Sequence, residues 1–141
     1  MTFENIKKDI NCDCLEGTSE SIFPYFTRVL TKDKATDNDF LSKWEKKQTH
    51  TDCAMICGLK GVSISRIINV TEKERILKQY SQVFKISPKY RKGVLVFQFK
   101  EGAGVTKETP SNNDKNHHTL YKSDGFVLNL IEEIETCYLT A

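Results

Sequence analysis

The sequence predicts an α+β domain: a small mixed β-sheet of four or five strands with three or four short helices packed on it. Three observations lead there. Runs rich in aromatic and β-branched residues recur at Ile22–Leu30, Val62–Ile68 and Gly93–Lys100. An apolar stripe at helical spacing separates the second run from the third. Strands and helices follow each other without the strict βαβ rhythm of a parallel sheet. With 141 residues, 38% hydrophobic and 28% charged, the chain can bury one core. Residues 1–141 are therefore read as a single domain, with 1–21 as an N-terminal helix and loop and 22–141 as the core.

The elements follow in order. Phe3, Ile6 and Ile10 recur at helical spacing and predict a short helix over residues 1–11. Asn11 to Ser21 is polar, contains Gly17, and reads as a loop. Ile22–Leu30 is the first strand; Pro24 cannot donate a ladder hydrogen bond, so it belongs at an edge or at the strand's start. Asp37 or Asn38 is placed to cap a short helix through DFLSKWEKK, with Phe40, Leu41 and Trp44 on one face. Cys53 to Gly58 reads as a helical turn ended by its glycine. In the strand Val62–Ile68, Val62, Ile64 and Ile68 share one face, and Ser63 and Ser65 point to the other.

Thr71 and Glu74 form a T-x-x-E capping box, and Ile76, Leu77, Tyr80, Val83 and Phe84 then make an amphipathic stripe that Pro88 ends. Gly93–Lys100 is apolar enough to be a central strand. Glu101 to Asn116 reads as one long polar loop. His117–Tyr121 is a fourth strand. Ser123 or Asp124 can cap a closing helix with Val127, Leu130, Ile131 and Ile134 on one side, although ETCYLT has the period-2 character of a last strand.

Composition removes several function classes. The net charge is +2, and basic and acidic residues balance in both halves, so no bulk field draws nucleic acid or anionic membrane. No apolar run approaches the ~20 residues of a membrane-spanning helix. The first eleven residues are charged and carry no apolar signal region, which predicts a cytoplasmic protein. Five cysteines, an odd count, predict thiols in a reducing compartment rather than a disulfide framework. Cys53, Cys57 and Cys137 are then small buried hydrophobes. Cys12-x-Cys14 and Cys53-x3-Cys57, with His50 nearby, fit the C-x2-4-C pairs of zinc sites poorly, and no metal site is assigned.

Five residues are candidates for chemistry. His117 and His118 are the catalytic candidates: in a strand they face opposite sides, so one of them can enter a pocket, and imidazole suits acid–base work near neutrality. Arg28 sits in an apolar strand, where a guanidinium must be paired; it either meets an acid such as Asp39 or binds a ligand phosphate or carboxylate. Ser63 and Ser65 follow Gly58-x-x-Gly61 and line one strand face, the second part of a ligand-binding set. The bland readings compete: a surface histidine, a structural arginine, a tight turn into a sheet. The basic segment Lys85 to Lys92 has the composition of a nucleic-acid grip, but cations also suit the helix C-terminus just before it.

Taken in order, YFTRV, DFLS, GLKGVSIS and HHTLY resemble a set of small uncharacterised bacterial proteins. Those share an Arg-bearing first strand, a D-F-x-S element, a G-x-S strand and a His before aromatic residues. The resemblance covers about residues 22–135. The pattern is also similar to ADP-ribosyltransferase-type folds. That likeness implies Arg28 on a cofactor's phosphates, Ser63 or Ser65 on a nicotinamide ribose, and His117, His118 or Glu101 acting on the ribose, with NAD as cofactor. No E-x-E or Q-x-E motif accompanies it. Two function classes follow. One is a cytoplasmic interaction or regulatory domain with a protein partner, which needs an apolar surface patch. The other is a nucleotide- or NAD-using transferase or hydrolase, which needs its candidate side chains in one pocket.

Overall fold

The computed structural model describes residues 1–84 and 91–139. Its strands are β1 (Tyr25–Val29), β2 (Val62–Ile67), β3 (Lys92–Phe99), β4 (Gly104–Glu108), β5 (His117–Lys122) and β6 (Ile131–Leu139). Its helices are α1 (Glu4–Lys7), α2 (Cys53–Lys60) and α3 (Lys73–Val83), with 3₁₀ turns at Asp37–Phe40 and Leu128–Leu130. The six strands form one sheet in the order β4-β5-β2-β1-β3-β6, and every pairing is antiparallel. The α+β class holds, with six strands instead of four or five and no parallel pair.

Alternation along the central strands divides the core. One face carries Phe26, Phe40, Ile64, Phe97 and Leu120 in a single apolar cluster, closed from outside by Phe126, Leu128 and Leu130. The other carries Ile67, Val94, Val96 and Leu139 beneath Ile76, Leu77 and Tyr80 of α3. β3 lies between β1 and β6 and is buried on both faces, with Val94, Leu95, Val96 and Phe97 all at 0% exposure. Its apolar run therefore meant what it predicted. Pro24 sits immediately before β1, where its missing N–H costs nothing.

Several elements differ from the sequence reading, each for a local reason. The helix over 1–11 shortens to α1. The stretch DFLSKWEKK forms a 3₁₀ turn and then turns, because the buried Asp39 carboxylate gathers the chain around itself: it accepts from Thr31 N and Oγ1 and from Thr36 N and Oγ1. Thr36 with Asp39 forms a capping box, and Thr71 with Glu74 does not. Thr71 instead bonds Asn69, and α3 starts later, with the Glu72 carboxylate accepting from Ile68 N and Asn69 N. Gly58 lies inside α2 rather than ending it. On β2 it is Ile67 that is buried, on the α3 face, while Ile68 is 86% exposed.

The polar stretch 101–116 contains a strand, β4, held by β5 on one side and by a bridge from Ser19 to Thr106. The closing helix is absent: residues 131–139 are β6, as the period-2 tail suggested. β6 skips Ile134, since Phe97 pairs with Glu133 and Val96 with Glu135. With Ile134 taken up by this bulge, a strand accommodates the three-residue spacing of Ile131 and Ile134 that reads as helical in the sequence. Pro88 and most of the basic segment, residues 85–90, lie outside the described residues.

The cysteine expectation is overturned. Cys12 is bonded to Cys53 and Cys14 to Cys57, and Cys137 is free. The two bridges staple the N-terminal arm to α2, above Tyr121. Ile6, Cys14 and Tyr121 make a third apolar cluster there, and the Tyr121 hydroxyl donates to Cys57 O at 3.0 Å. Gly61 makes this approach possible. It joins α2 to β2, and a Cβ there would overlap the Thr119 methyl.

Candidate functional site

The site begins with register. β1 pairs with β2 only from Tyr25↔Ile67 to Thr27↔Ser65. β2 pairs with β5 through Ser63↔Thr119 and Ser65↔His117. Thr27, Ser65 and His117 therefore form a row across three neighbouring strands, on the face covered by α3. Directly opposed residues in antiparallel pairs have Cβ atoms about 4.5–5.5 Å apart, so the row is continuous.

Beyond Thr27 and Ser65 no further β1–β2 partners are registered, and the Arg28 guanidinium takes over. Its Nη1 donates to Ser63 O at 2.9 Å and its Nε to Asp39 O at 2.9 Å. A backbone carbonyl buried without a partner is costly, and here an arginine satisfies the buried one of Asp39 together with the exposed one of Ser63. Arg28 thus meets the main chain of Asp39, while the Asp39 carboxylate is taken by Thr31 and Thr36. Burial lowers the guanidinium pKa from its ordinary value, opposed by the nearby Tyr80 hydroxyl and the Asp39 charge.

A cleft of about 380 Å³ opens at this divergence. Arg28, Ser63, Ser65 and His117 all line it. The sequence reading missed three further walls: Tyr80 from α3, Lys92 from the start of β3, and Asp114 from the loop before β5. Tyr80 was visible only as one member of an apolar stripe; a phenol on such a stripe, in a chain whose apolar strands carry Thr27 and Ser65, was the available signal. Its hydroxyl lies 2.7 Å from Thr27 Oγ1, and burial pushes its pKa up to about 12. It stays protonated near neutrality and acts as a hydrogen-bonding group rather than a base.

His117 is fixed from behind. Its Nδ1 is 2.8 Å from Thr109 Oγ1 and 3.0 Å from Thr109 O. A carbonyl only accepts, so Nδ1 carries the hydrogen and Nε2 of the neutral ring is the acceptor. Thr109 Oγ1 also meets Thr119 Oγ1 at 2.8 Å, extending the polar row. Three basic side chains, Arg28, Lys92 and His117, thus face a cleft that also holds Asp114, with Val29, Leu30, Ile64 and Phe84 as its apolar walls.

His118 goes elsewhere. It is 8% exposed on the opposite face, with its ring edge-on to Phe26 at 5.5 Å and Nδ1 2.9 Å from Asn116 O. It borders a second cleft of about 540 Å³ shared by Arg66, Arg75 and Lys115 with Glu72 and Glu108. There the charges answer each other, as in the Arg75–Glu72 pair at 3.0 Å. Glu101 sits exposed in the turn between β3 and β4. Of the five candidates, the structure brings four together and separates the fifth.

Among the described residues, no three His, Cys, Asp or Glu side chains are grouped to hold a metal ion. No described helix is long and apolar enough to cross a membrane. Compared with family models, curated proteins and solved structures, the chain matches none, so the geometry alone carries the functional reading.

Proposed function

We propose that this is a small-ligand-binding regulatory domain whose cleft between β1, β2 and α3 takes a mononucleotide-class anion. The observation that carries it is convergence: Arg28, Ser63, Ser65 and His117, separated by up to ninety residues of chain, line one cleft. Lys92 supplies charge and hydrogen bonds to a phosphate, the His117 Nε2 accepts from a hydroxyl or amino group of the ligand, and Val29, Leu30 and Phe84 supply a surface for a flat apolar group. At about 380 Å³ the cleft is near the small end of ligand pockets, which run from ~300 to ~1,000 Å³. That size favours a mononucleotide over NAD. His117, with its Nε2 as acceptor, is the one group suited to acid–base work should the domain also turn its ligand over.

The test is thermal stabilisation across a panel of nucleotides that includes NAD. A hundredfold excess over Kd stabilises by ~2.7 kcal/mol. Arg28 serves two main-chain carbonyls, so its loss confuses folding with binding; Lys92→Gln and His117→Gln are the informative variants. Lys92→Gln is expected to weaken binding about tenfold, the scale of one charge-assisted hydrogen bond, and His117→Gln about three- to fivefold, the scale of a neutral one. Absence of any shift with every nucleotide would overturn the proposal.

One observation favours an interaction domain instead. Phe23 and Ile68 are 83% and 86% exposed. They flank the Tyr25↔Ile67 pair and so stand at one end of the two central strands. If that patch is the functional surface, Phe23→Ser with Ile68→Ser abolishes protein association and leaves any nucleotide shift intact. A cytoplasmic placement belongs to this proposal and carries a condition: that compartment keeps thiols reduced, so both disulfides would be open there at rest.

A further inference from the structure

We propose that, with its disulfides reduced, the chain binds one zinc ion through Cys12, Cys14, Cys53 and Cys57. Spacing along the sequence argued against such a site, but the fold brings the two pairs together. Cys53 and Cys57 are one helical step apart on α2, and each is joined to a cysteine of the N-terminal arm, with Cα separations of 5.6 Å and 5.2 Å. Residues four apart on a helix have Cβ atoms about 5–6 Å apart, so the two bridges are neighbours; bonded as disulfides the four are not grouped for a metal, and opening both bonds frees the side chains to turn toward a common centre. Thiolate ligation needs only Zn–S bonds of about 2.3 Å in a tetrahedron.

The arm does not depend on the disulfides to stay in place. Ahead of Cys12, the Asp124 carboxylate accepts from Thr2 Oγ1, Glu4 N and Asn5 N. The Lys60 ammonium, 4% exposed, donates to Asn5 O at 3.1 Å and Lys8 O at 2.7 Å. After Cys14, Ser19 and Thr106 exchange two backbone bonds at 3.0 and 2.8 Å, and Lys107 reaches Glu16 O. Ile6 packs against Tyr121 in the same cluster. Anchors on both sides keep the two cysteines of the arm beside the two of α2 after their mutual bonds open. Cys53, the first residue of α2, is exposed, which gives a reductant access and places a thiolate at a helix N-terminus.

The chemistry balances. Each disulfide becomes two thiols by taking two electrons and two protons from a dithiol, or two electrons from a phosphine and two protons from a water whose oxygen ends in the phosphine oxide. Zinc then replaces four protons, giving a tetrathiolate of charge −2. Hydrogen peroxide reverses this: each molecule takes two electrons from a thiolate pair and two protons from solvent, leaving a disulfide and two waters, and the metal leaves. Disulfides and metal are thus exclusive states of one site.

The experiment uses the intact chain, reduced by a phosphine without oxygen, exchanged into buffer with or without zinc, and then alkylated. Zinc is expected to protect four of the five cysteines. The fifth, Cys137, reacts in both samples and serves as the internal control. One metal per chain should survive gel filtration, and cobalt in its place should show the visible bands of a tetrahedral thiolate. Peroxide should release the metal. The count applies whether or not the metal-free reduced chain is folded. Equal alkylation of all five thiols with and without zinc, or undiminished metal retention in Cys14→Ser and Cys57→Ser, would overturn the proposal.

Discussion

Arg28 shows how one side chain can be both a fold element and a wall of a site. It replaces ladder hydrogen bonds where β1 and β2 part, so its removal leaves two carbonyls without donors. Arg28→Met is expected to cost about 1–3 kcal/mol, mainly from the Asp39 carbonyl left without its donor; urea unfolding with an unchanged slope would register it. Tyr80 gives a pH dependence of definite sign. Its folded pKa of about 12 lies above the ordinary value of 10. The folded phenol keeps its proton where the unfolded one has lost it, so stability is full below pH 10 and falls as pH rises toward 12. The loss amounts to roughly 2–3 kcal/mol at that end. In Tyr80→Phe this alkaline limb should flatten, while the variant loses the bond to Thr27 at all lower pH. The residue types in the cleft were legible beforehand because polar side chains in apolar strands stand out: Arg28, Ser63, Ser65 and His117 are all of that kind. Tyr80, Lys92 and Asp114 were not, since each has an ordinary local explanation on a helix stripe, at a helix end or in a polar loop.

Among the elements, strands whose burial shows in their own pattern were read from sequence, and strands that exist because of a neighbour were not. β3 is apolar because it is enclosed; β4, with Val105 as its single large apolar residue, is a strand because β5 and Ser19 hold it. β6 was disguised by its own bulge at Ile134. The disulfides were illegible for a different reason: pairing is a property of space, and an odd count said nothing of which four cysteines meet. Their arrangement yields a non-additive prediction. With sequence separations of 41 and 43, either bridge alone closes a loop worth about 4 kcal/mol of chain entropy. Once one is closed, the other closes a ring of only a few residues, worth about 2 kcal/mol. Removing one bridge by paired Cys→Ser changes should therefore cost about 2 kcal/mol, and removing both about 6 kcal/mol. Equal and additive losses in thermal unfolding would contradict the shared closure. Gly61→Ala tests the junction beneath: the added methyl strikes Thr119, and overpacking of this kind costs about 1–3 kcal/mol.

On the scale of the molecule, the chain builds its sheet from the middle outward. β1 and β2 are central, β3 adds on one side, β4 and β5 on the other, and β6 returns to close the first side. The cleft lies at the centre, between strands laid down early, but its His117 arrives only with β5. Ligand binding is therefore expected to report on completion of the sheet: a chain ending at residue 116 should show no nucleotide shift even where it retains helical signal in circular dichroism. Fold class was legible at this scale and strand order was not, because order depends on which edges remain open as each strand arrives. The two disulfides add a last property. Together they close residues 12–57 into a ring that contains β1, and the exposed stretch from Thr31 to Lys34 lies within it. Trypsin cutting after Lys32 or Lys34 would leave both pieces tied by two bridges. The nicked protein would run as one molecule on a non-reducing gel and fall into two only when a reductant is added.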